Sequence, residues 1–188
     1  MRIFGIDPGS ERTGYGCVET DGRRLVLVAC GAITAASSDG FPERLTRIHR
    51  ELAARLAECR PDSVAIENLF YATNVRSALK LGHARGVAML AAVEAGCEVA
   101  EYTAAEIKRA VVGYGRADKH QVQEMVKLLL GLSIPPAPHD AADALAVAIC
   151  HLHSLPVVPV DPELRSVGKA ARSRAPRTWR QYRPPANG

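Results

Sequence analysis

The chain has 188 residues, of which 47% are hydrophobic and 23% are charged, as expected for one globular domain with or without an appendage. It holds no apolar run of roughly eighteen residues and does not begin with a signal-peptide pattern, so we expect no association with a membrane. Its five cysteines are scattered and form no CxxC pair, which favours reduced thiols in the cytoplasm.

The formal net charge of +4 is unevenly distributed along the chain. Residues 157–188 carry +5, whereas residues 1–156 carry −1. Beyond residue 156 the sequence is dominated by Pro, Arg, Ser and Ala without periodicity. We therefore predict a folded domain over 1–156 and a disordered basic tail over 157–188. Net charge gives no indication of whether the folded part binds nucleic acid.

The first sixty residues predict three strands and a helix. Residues 2–7 form an apolar run that ends at a Pro-Gly turn, and residues 13–19 and 24–33 are two further strand candidates. Asp21 and Gly22 lie between those two candidates and indicate a hairpin, so this part of the sheet should be antiparallel. Leucine and isoleucine at helical spacing predict a helix over 42–59.

The second half alternates short apolar strands with helices. The predicted strands are 63–67 and 98–102, and the predicted helices are 74–95, one that opens at Thr103, 118–130 and 140–155. Thr103 and Glu106 have the spacing of a capping box. Three antiparallel strands followed by this alternation predict an α/β fold, with a mixed sheet and helices on both faces.

Four acids occupy positions where such folds build sites. Asp7 and Glu67 each end a short apolar run, at the carboxyl end of a predicted strand. Asp140 and Asp143 lie three residues apart at the start of the last helix and therefore share one face. Carboxylate oxygens suit Mg²⁺, and two such ions can activate water and stabilise the leaving oxygen in phosphodiester hydrolysis.

Three of these acids also have ordinary structural explanations. Asp7 precedes Pro-Gly and could be a turn residue, Asp140 could be a helix N-cap, and Asp143 could complement the helix dipole. Glu67 has no such local role after the apolar run that it ends. Taken together, the four acids predict a metal site.

Five segments carry a more specific pattern: GIDPGSERTGYG (5–16), AIENLFYATN (65–74), SALKLGHARGVA (77–88), VVGYGRADKHQVQ (111–123) and HDAADALAVAICH (139–151). Together they resemble the RuvC Holliday junction resolvases in order and spacing. The resemblance implies a ribonuclease H-like fold and a Mg²⁺-dependent endonuclease, with Mn²⁺ as a possible substitute and one or two ions per subunit. It also implies a homodimer that resolves four-way junction DNA by paired symmetric nicks in recombination and repair, with RuvA and RuvB as partners.

The resemblance also assigns roles to residues. It makes Asp7, Glu67, Asp140 and Asp143 the catalytic, metal-binding acids and leaves the role of the adjacent His139 open. Among the DNA-binding candidates, Phe70 would stack on bases and Lys108 and Lys119 would approach the scissile phosphate. Arg76, Lys80 and Arg85 would form a basic stripe that contacts the backbone. Each role has a structural alternative. Phe70 could be an ordinary core residue, the two lysines could be solvated surface groups, and the three basic residues could form a solvated helical face.

The helix predicted over 74–95 is a candidate for dimerisation. It contains Leu79, Leu81, Val87, Met89 and Leu90, so it could bury one face in its own core and another against a second copy of the chain. A two-fold dimer would present two equivalent sites to two symmetric strands. A helix that packs only in its own core is the alternative, and the sequence does not separate the two.

Two other functions are compatible with parts of the sequence. GIDPGSERTG also resembles the phosphate-binding turn of sugar-kinase and actin-like ATPases, but those folds need a second lobe, for which 188 residues are too few. The second is a junction-binding module without catalytic activity, in which the acids serve only as turn and cap residues. The presence of all four acids argues against that module.

Overall fold

A computed structural model of the chain describes residues 1–36, 38–68 and 74–155. Its strands are β1 (Arg2–Asp7), β2 (Arg12–Thr20), β3 (Leu25–Thr34), β4 (Ser63–Asn68) and β5 (Glu98–Thr103). Its helices are α1 (Phe41–Cys59), α2 (Val75–Glu94), α3 (Ala104–Val112), α4 (Lys119–Leu129) and α5 (His139–Ser154). Each element predicted from the sequence is present, with ends that differ by one or two residues. Among the described helices, none has the length and apolarity needed to span a membrane.

The five strands form one mixed sheet in the order β3-β2-β1-β4-β5. β1 pairs antiparallel with β2, and β2 with β3, whereas β4 and β5 run parallel to β1. This confirms the predicted arrangement of three antiparallel strands followed by parallel ones. Because β1, β4 and β5 point the same way, their carboxyl ends meet at one edge, which we call the carboxyl edge of the sheet.

Helices cover both faces of this sheet, as predicted. α1 and α2 pack on the face that receives Phe4 and Ile6 from β1 and Val64 and Ile66 from β4. The opposite face receives Ile3 from β1 and packs against α3, α4 and α5. Successive residues of a strand point to opposite faces. The alternation that buries Ile6 and Ile66 therefore sends the next residues, Asp7 and Glu67, toward the face that carries α5.

α5 lies unusually close to the backbone of β1 and β2. A Cβ atom added at Gly5 would overlap the carbonyl oxygen of Ala144, and one added at Gly14 would overlap that of Asp140. The residues of α5 from Ala144 to His151 are all buried. The absence of side chains at these two glycines lets the helix cross the sheet and brings its N-terminal turn to the carboxyl edge.

Side-chain caps define where two of the shorter helices begin. The capping box predicted at Thr103 and Glu106 is present at the start of α3 and joins that helix directly to β5. A second capping box, between Asp118 and Gln121, begins α4. Such caps contribute about 1 kcal/mol each and position the first residues of a helix. The residues up to Leu155 form one compact unit, and the predicted tail lies outside the described residues.

Candidate active site

A cleft of about 330 Å³ opens at the carboxyl edge of the sheet, between β1, β4, α3, α4 and α5. It is lined by Asp7, Glu67, Ala104, Ile107, Lys108, Lys119, Val122, Asp143 and Ala146. Three of the four acids predicted from the sequence and both predicted lysines thus line one cleft. The apolar residues among them form a wall that reduces solvation of the carboxylates.

Asp7 and Glu67 are two acids of this cleft whose pKa values are raised. Burial raises the pKa of Asp7 to about 8, and the charges of Glu67, Asp143 and Asp140 act in the same direction. Burial, followed by the charge of Asp143, also raises the pKa of Glu67. Asp7 is the last residue of β1, directly before the reversal that leads into β2. A side-chain hydrogen bond with Asp7 acts to lower the pKa of Glu67, so the proton that Asp7 retains holds the two carboxyl groups together. A bound cation would take the place of that proton, because two ionised carboxylates would repel each other in so poorly solvated a place.

Lys119 supplies a positive charge at the centre of the cleft. As the first residue of α4 it extends toward α5, and its Nζ atom lies 2.6 Å from Oδ2 of Asp143. This hydrogen bond raises the pKa of Lys119. Lys119 in turn acts to lower the pKa of Asp7 and of Glu67, and Lys108 acts likewise on Glu67. The two lysines partly offset the negative potential of the acids.

Asp140 lies beside the cleft and contacts a different cation. Its Oδ2 atom is 3.5 Å from Nε of Arg12, the first residue of β2. Asp140 is still close enough to raise the pKa of Asp7. The N-cap position of α5 is Pro138, which makes no side-chain cap, so the explanation of Asp140 as an N-cap is wrong. Arg12 is not among the site residues predicted from the sequence, although pairing across the β1–β2 hairpin places it at the same edge as Asp7.

The donor set fits a hard divalent cation in its chemistry but is not assembled as a ligand cluster. Over residues 1–36, 38–68 and 74–155, no three His, Cys, Asp or Glu side chains are grouped so as to hold one ion. Lys119 and Arg12 hold the two α5 carboxylates separately. The fit rests on carboxylate oxygens from β1, β4 and α5 that meet at one edge and on the raised pKa of Asp7.

The other predicted DNA-binding residues lie outside the cleft. Arg76 and Lys80 are exposed in the first turns of α2. Arg85 points instead toward β5, where it forms an ion pair with Glu101, and Glu101 also accepts a hydrogen bond from Asn68 Nδ2 at 3.1 Å. The three basic residues therefore do not form one exposed stripe. Phe70 lies outside the described residues.

His139 is exposed and adjacent to the acids. Its Nδ1 atom lies 2.7 Å from Nε2 of Gln123, a buried residue of α4. The contact joins the start of α5 to α4, so His139 has a structural partner in the described part of the chain.

A second cleft, of about 440 Å³, lies between the C-terminal ends of α1 and α2. Its lining residues include a single carboxylate, Glu94, together with alanines, Leu56, Pro61, Arg60 and Cys97. Hydrolytic chemistry needs convergent polar groups. The acidic cleft at the carboxyl edge is therefore the candidate active site.

The sequence of the chain matches one protein family over most of the described residues. The family described as Crossover junction endodeoxyribonuclease RuvC matches residues 3–151. The chain is 52% identical to the protein of that name from Trichlorobacter lovleyi, over 98% of this chain and 100% of that one. It is 56% identical to the protein of that name from Citrifermentans bemidjiense, over 82% and 93%.

Solved structures show the same fold. The Thermus thermophilus RuvC structure matches with a TM-score of 0.76 at 36% identity, covering 81% of this chain and 94% of that one. Thermus thermophilus RuvC in complex with Holliday junction substrate matches with a TM-score of 0.78 at the same identity, covering 81% and 93%. The ribonuclease H-like fold predicted from the sequence is confirmed by these matches.

Proposed function

The chain belongs to the RuvC family of crossover junction endodeoxyribonucleases, which are metal-dependent nucleases, and from this membership we propose that it resolves Holliday junctions. It makes paired symmetric nicks in two strands during homologous recombination and DNA repair. One observation carries the proposal for this chain: Asp7, Glu67 and Asp143 line a single cleft together with Lys108 and Lys119. Acidic ligands beside cations are the groups that phosphodiester hydrolysis requires.

We propose Mg²⁺ as the cofactor, with Mn²⁺ as a substitute and one or two ions per subunit. Asp7, Glu67, Asp140 and Asp143 would hold it, since all four reach the carboxyl edge and the raised pKa of Asp7 shows that full ionisation of the group is unfavourable without a cation. When bound, such an ion polarises the phosphoryl oxygen and lowers the pKa of a coordinated water.

The residues of the chain position the other reactants. Lys119 and Lys108 offset the charge of the scissile phosphate, and one carboxylate assists the water that attacks phosphorus. The bond from phosphorus to the 3′ oxygen breaks, which leaves a 5′-phosphate and a 3′-hydroxyl. The apolar wall formed by Ile107, Val122 and Ala146 limits bulk water at the reacting phosphate.

DNA on either side of this phosphate would be held by groups with no base specificity. Arg76 and Lys80 are exposed on α2 and free to contact backbone phosphates. Arg85 would contact the DNA backbone from its position beside Glu101, which neutralises part of its charge. We propose that Phe70 stacks on bases of the junction.

A homodimer is supported by an apolar stripe along α2. Val75, Leu79, Leu90 and Val93 are large apolar residues exposed on this helix. Gly82 and Gly86 lie between them on the same side, and a Cβ atom added at either would meet open space. At 100° per residue these six positions fall on one narrow face. A second copy of α2 packed on this face, which we call the α2 stripe, would bury it across a two-fold axis.

Two further proposals concern partners and location. Family membership supports RuvA and RuvB as partners, and the binding of each purified protein to this chain tests that proposal. All five cysteines are free thiols, which supports a reducing compartment such as the cytoplasm.

The proposed function is tested by cleavage of a synthetic mobile four-way junction, with linear duplex and single-stranded DNA as controls. We expect symmetric cuts confined to the junction, present with Mg²⁺ and absent with a chelator. Asp7→Asn should abolish the cuts. Glu19→Gln is the matched control, because Glu19 is an ion-paired acid of β2 at the opposite end of the sheet, 3.3 Å from Arg2.

Two results would contradict the proposal. Junction binding without cleavage by any divalent metal would indicate the binding module without catalytic activity. Full cleavage by Asp7→Asn would show that the acids of this cleft are not the catalytic ones.

A further inference from the structure

Arg12 is a cation beside the candidate active site, and the resemblance to the RuvC family assigns it no role. It begins β2 at the carboxyl edge, where β2 pairs with the end of β1 that carries Asp7. Its side chain is 55% exposed and contacts Asp140 through Nε at 3.5 Å. Arg12 from β2 thus joins two other basic groups at this edge, Lys108 from α3 and Lys119 from α4.

The turn that presents Arg12 is held at several points. Thr13 is fully buried, and its hydroxyl donates a hydrogen bond to the carbonyl of Gly9 at 2.8 Å. The carbonyl of Glu11 accepts one from the backbone N–H of Ala35 at 2.9 Å. The carboxylate of Glu11 lies 3.4 Å from Nη1 of the buried Arg44. The backbone on both sides of Arg12 is therefore fixed, and only its side chain extends into solvent.

The contact with Asp140 uses little of the binding capacity of the guanidinium. In the described part of the chain it is the one ion pair of Arg12, and the contact runs from Nε to a single carboxylate oxygen at 3.5 Å. A guanidinium carries five N–H donors in a planar fork, which fits two oxygens of a phosphate. An ion pair this exposed adds little to the stability of the fold. Its geometry fits a temporary partner better than a permanent tether.

We propose that Arg12 is a DNA-binding residue of this site, which exchanges the Asp140 carboxylate for a backbone phosphate next to the scissile bond. The inference rests on the nuclease function proposed above and extends the site to β2. While DNA is absent, the ion pair keeps the guanidinium at the rim of the cleft. When DNA arrives, the fork moves to the phosphate and the Asp140 carboxylate is released toward the other acids.

The test is the salt dependence of DNA binding by the full chain in a chelator, where no cleavage occurs. The affinities of wild type, Arg12→Ala and Arg12→Lys are measured on a labelled four-way junction and on linear duplex between about 50 and 200 mM salt. Arg55→Ala is the matched control, because Arg55 is also an exposed, ion-paired arginine, 2.8 Å from Glu58. It belongs to α1, on the face of the sheet opposite to α5 and the acidic cleft, where its guanidinium lies over the ring of Tyr15.

We expect Arg12→Ala to bind the junction about tenfold more weakly at low salt, as for the loss of a charge-assisted hydrogen bond. The slope of log affinity against log salt should become shallower by about 0.9, the value for one phosphate contact. The defect should therefore shrink about threefold between 50 and 200 mM salt. Arg12→Lys should keep the wild-type slope, because the charge remains, and Arg55→Ala should match wild type.

Equal slopes and affinities for Arg12→Ala and Arg55→Ala would overturn the proposal. The proposal would also be overturned if Arg12→Ala lowered the melting temperature but left the slope of log affinity against log salt unchanged. In that case the role of Arg12 would be to hold α5 in place. Failure of the nuclease function gives a different result, which is the absence of junction cleavage by wild type when Mg²⁺ is added. In that case the slopes on duplex DNA still decide whether Arg12 contacts phosphate.

Discussion

The ammonium group of Lys119 lies 2.6 Å from the carboxylate of Asp143 and joins the first residue of α4 to the first turns of α5. The same charge acts to lower the pKa of Asp7 and of Glu67, which come from two neighbouring strands. One lysine thus interacts with carboxylates from three separate elements. Removal of this lysine should therefore change the electrostatic environment of all three carboxylates.

We expect Lys119→Met to lower kcat for junction cleavage by about a hundredfold, the usual effect of losing one electrostatic donor at a reacting group. Without the ammonium, the pKa values of Asp7 and Glu67 should rise further. Since cleavage needs these acids ionised, the rising limb of the pH–rate profile should move to higher pH. Single-turnover cleavage rates across the pH range measure both effects.

Lys127→Met is the control for that variant. Lys127 is also a lysine of α4 with an ion pair, 3.1 Å from Glu124, but it is absent from the lining of the cleft. We expect its cleavage rate and pH profile to match wild type. Equal losses in the two variants would mean that the charge of α4 as a whole, rather than the contact with Asp143, is responsible.

Asp7→Asn should change how the stability of the metal-free protein depends on pH. The pKa of Asp7 is raised from 3.8 to about 8 in the folded protein, so between these values the folded state retains a proton that the unfolded state has lost. The free energy of unfolding therefore decreases as pH rises through this range. Asp7→Asn removes this contribution, so we expect it to lose less stability than wild type between about pH 5 and pH 8.

Urea denaturation in a chelator, at several pH values, measures this difference. Glu19→Gln should follow the wild-type curve, because Glu19 lies at the other end of β2. Addition of Mg²⁺ at about pH 8 should stabilise wild type and have a smaller effect on Asp7→Asn, since a ligand of the folded state raises stability by mass action. Parallel curves for wild type and Asp7→Asn would contradict the raised pKa of Asp7 in the folded protein.

Gly14→Ala should impair cleavage without altering any polar group. The new methyl would overlap the carbonyl oxygen of Asp140 and force the first turn of α5 away from the sheet. Overpacking of this kind costs about 1–3 kcal/mol. Melting temperature and cleavage rate, measured well below the transition, separate stability from activity. Gly16→Ala is the comparison, because its methyl would meet Leu145, farther along α5 than the turn that carries Asp140. It should lower the melting temperature with a smaller effect on cleavage, and wild-type activity in Gly14→Ala would contradict the argument.

Leu79→Glu should disrupt the proposed homodimer, because it places a charge in the middle of the α2 stripe. Leu128→Glu is the matched control, since Leu128 is a similarly exposed leucine of α4, outside the stripe. Light scattering after size exclusion should give a monomer for the first variant and a dimer for the second. On junctions, the monomer should give uncoordinated single nicks. A dimer that persists in Leu79→Glu would place the interface elsewhere.

Much of the fold follows from local sequence patterns. The Asp21–Gly22 turn, the Thr103 capping box and the apolar runs that end at Asp7 and Glu67 each depend on a few adjacent residues, and all of these features are present. The two strand acids were found because an isolated carboxylate after a buried run is readily recognised. The mixed sheet then followed from the order of the elements.

The features that the sequence did not reveal depend on contacts between distant elements. The pairing of Arg12 with Asp140 exists only because α5 crosses β2, and the pairing of Arg85 with Glu101 needs the packing of α2 beside β5. Helical spacing alone grouped Arg85 with Arg76 and Lys80, since it contains no information about the neighbouring strand. Pro138 as the N-cap of α5 was likewise missed, because Asp140 is the better capping residue by type.

The packing of α5 on β1 joins the last described helix of the chain to its first strand. During synthesis, a nascent chain that has not yet released residue 154 from the ribosome exposes Asp7 and Glu67 without Asp140, Asp143 or the glycine-lined contact that positions them. Closing a loop of this length is a late and entropically costly step. Nuclease activity should therefore appear abruptly, when translation of the folded unit is complete, and partial translation products should be inert toward the DNA around them.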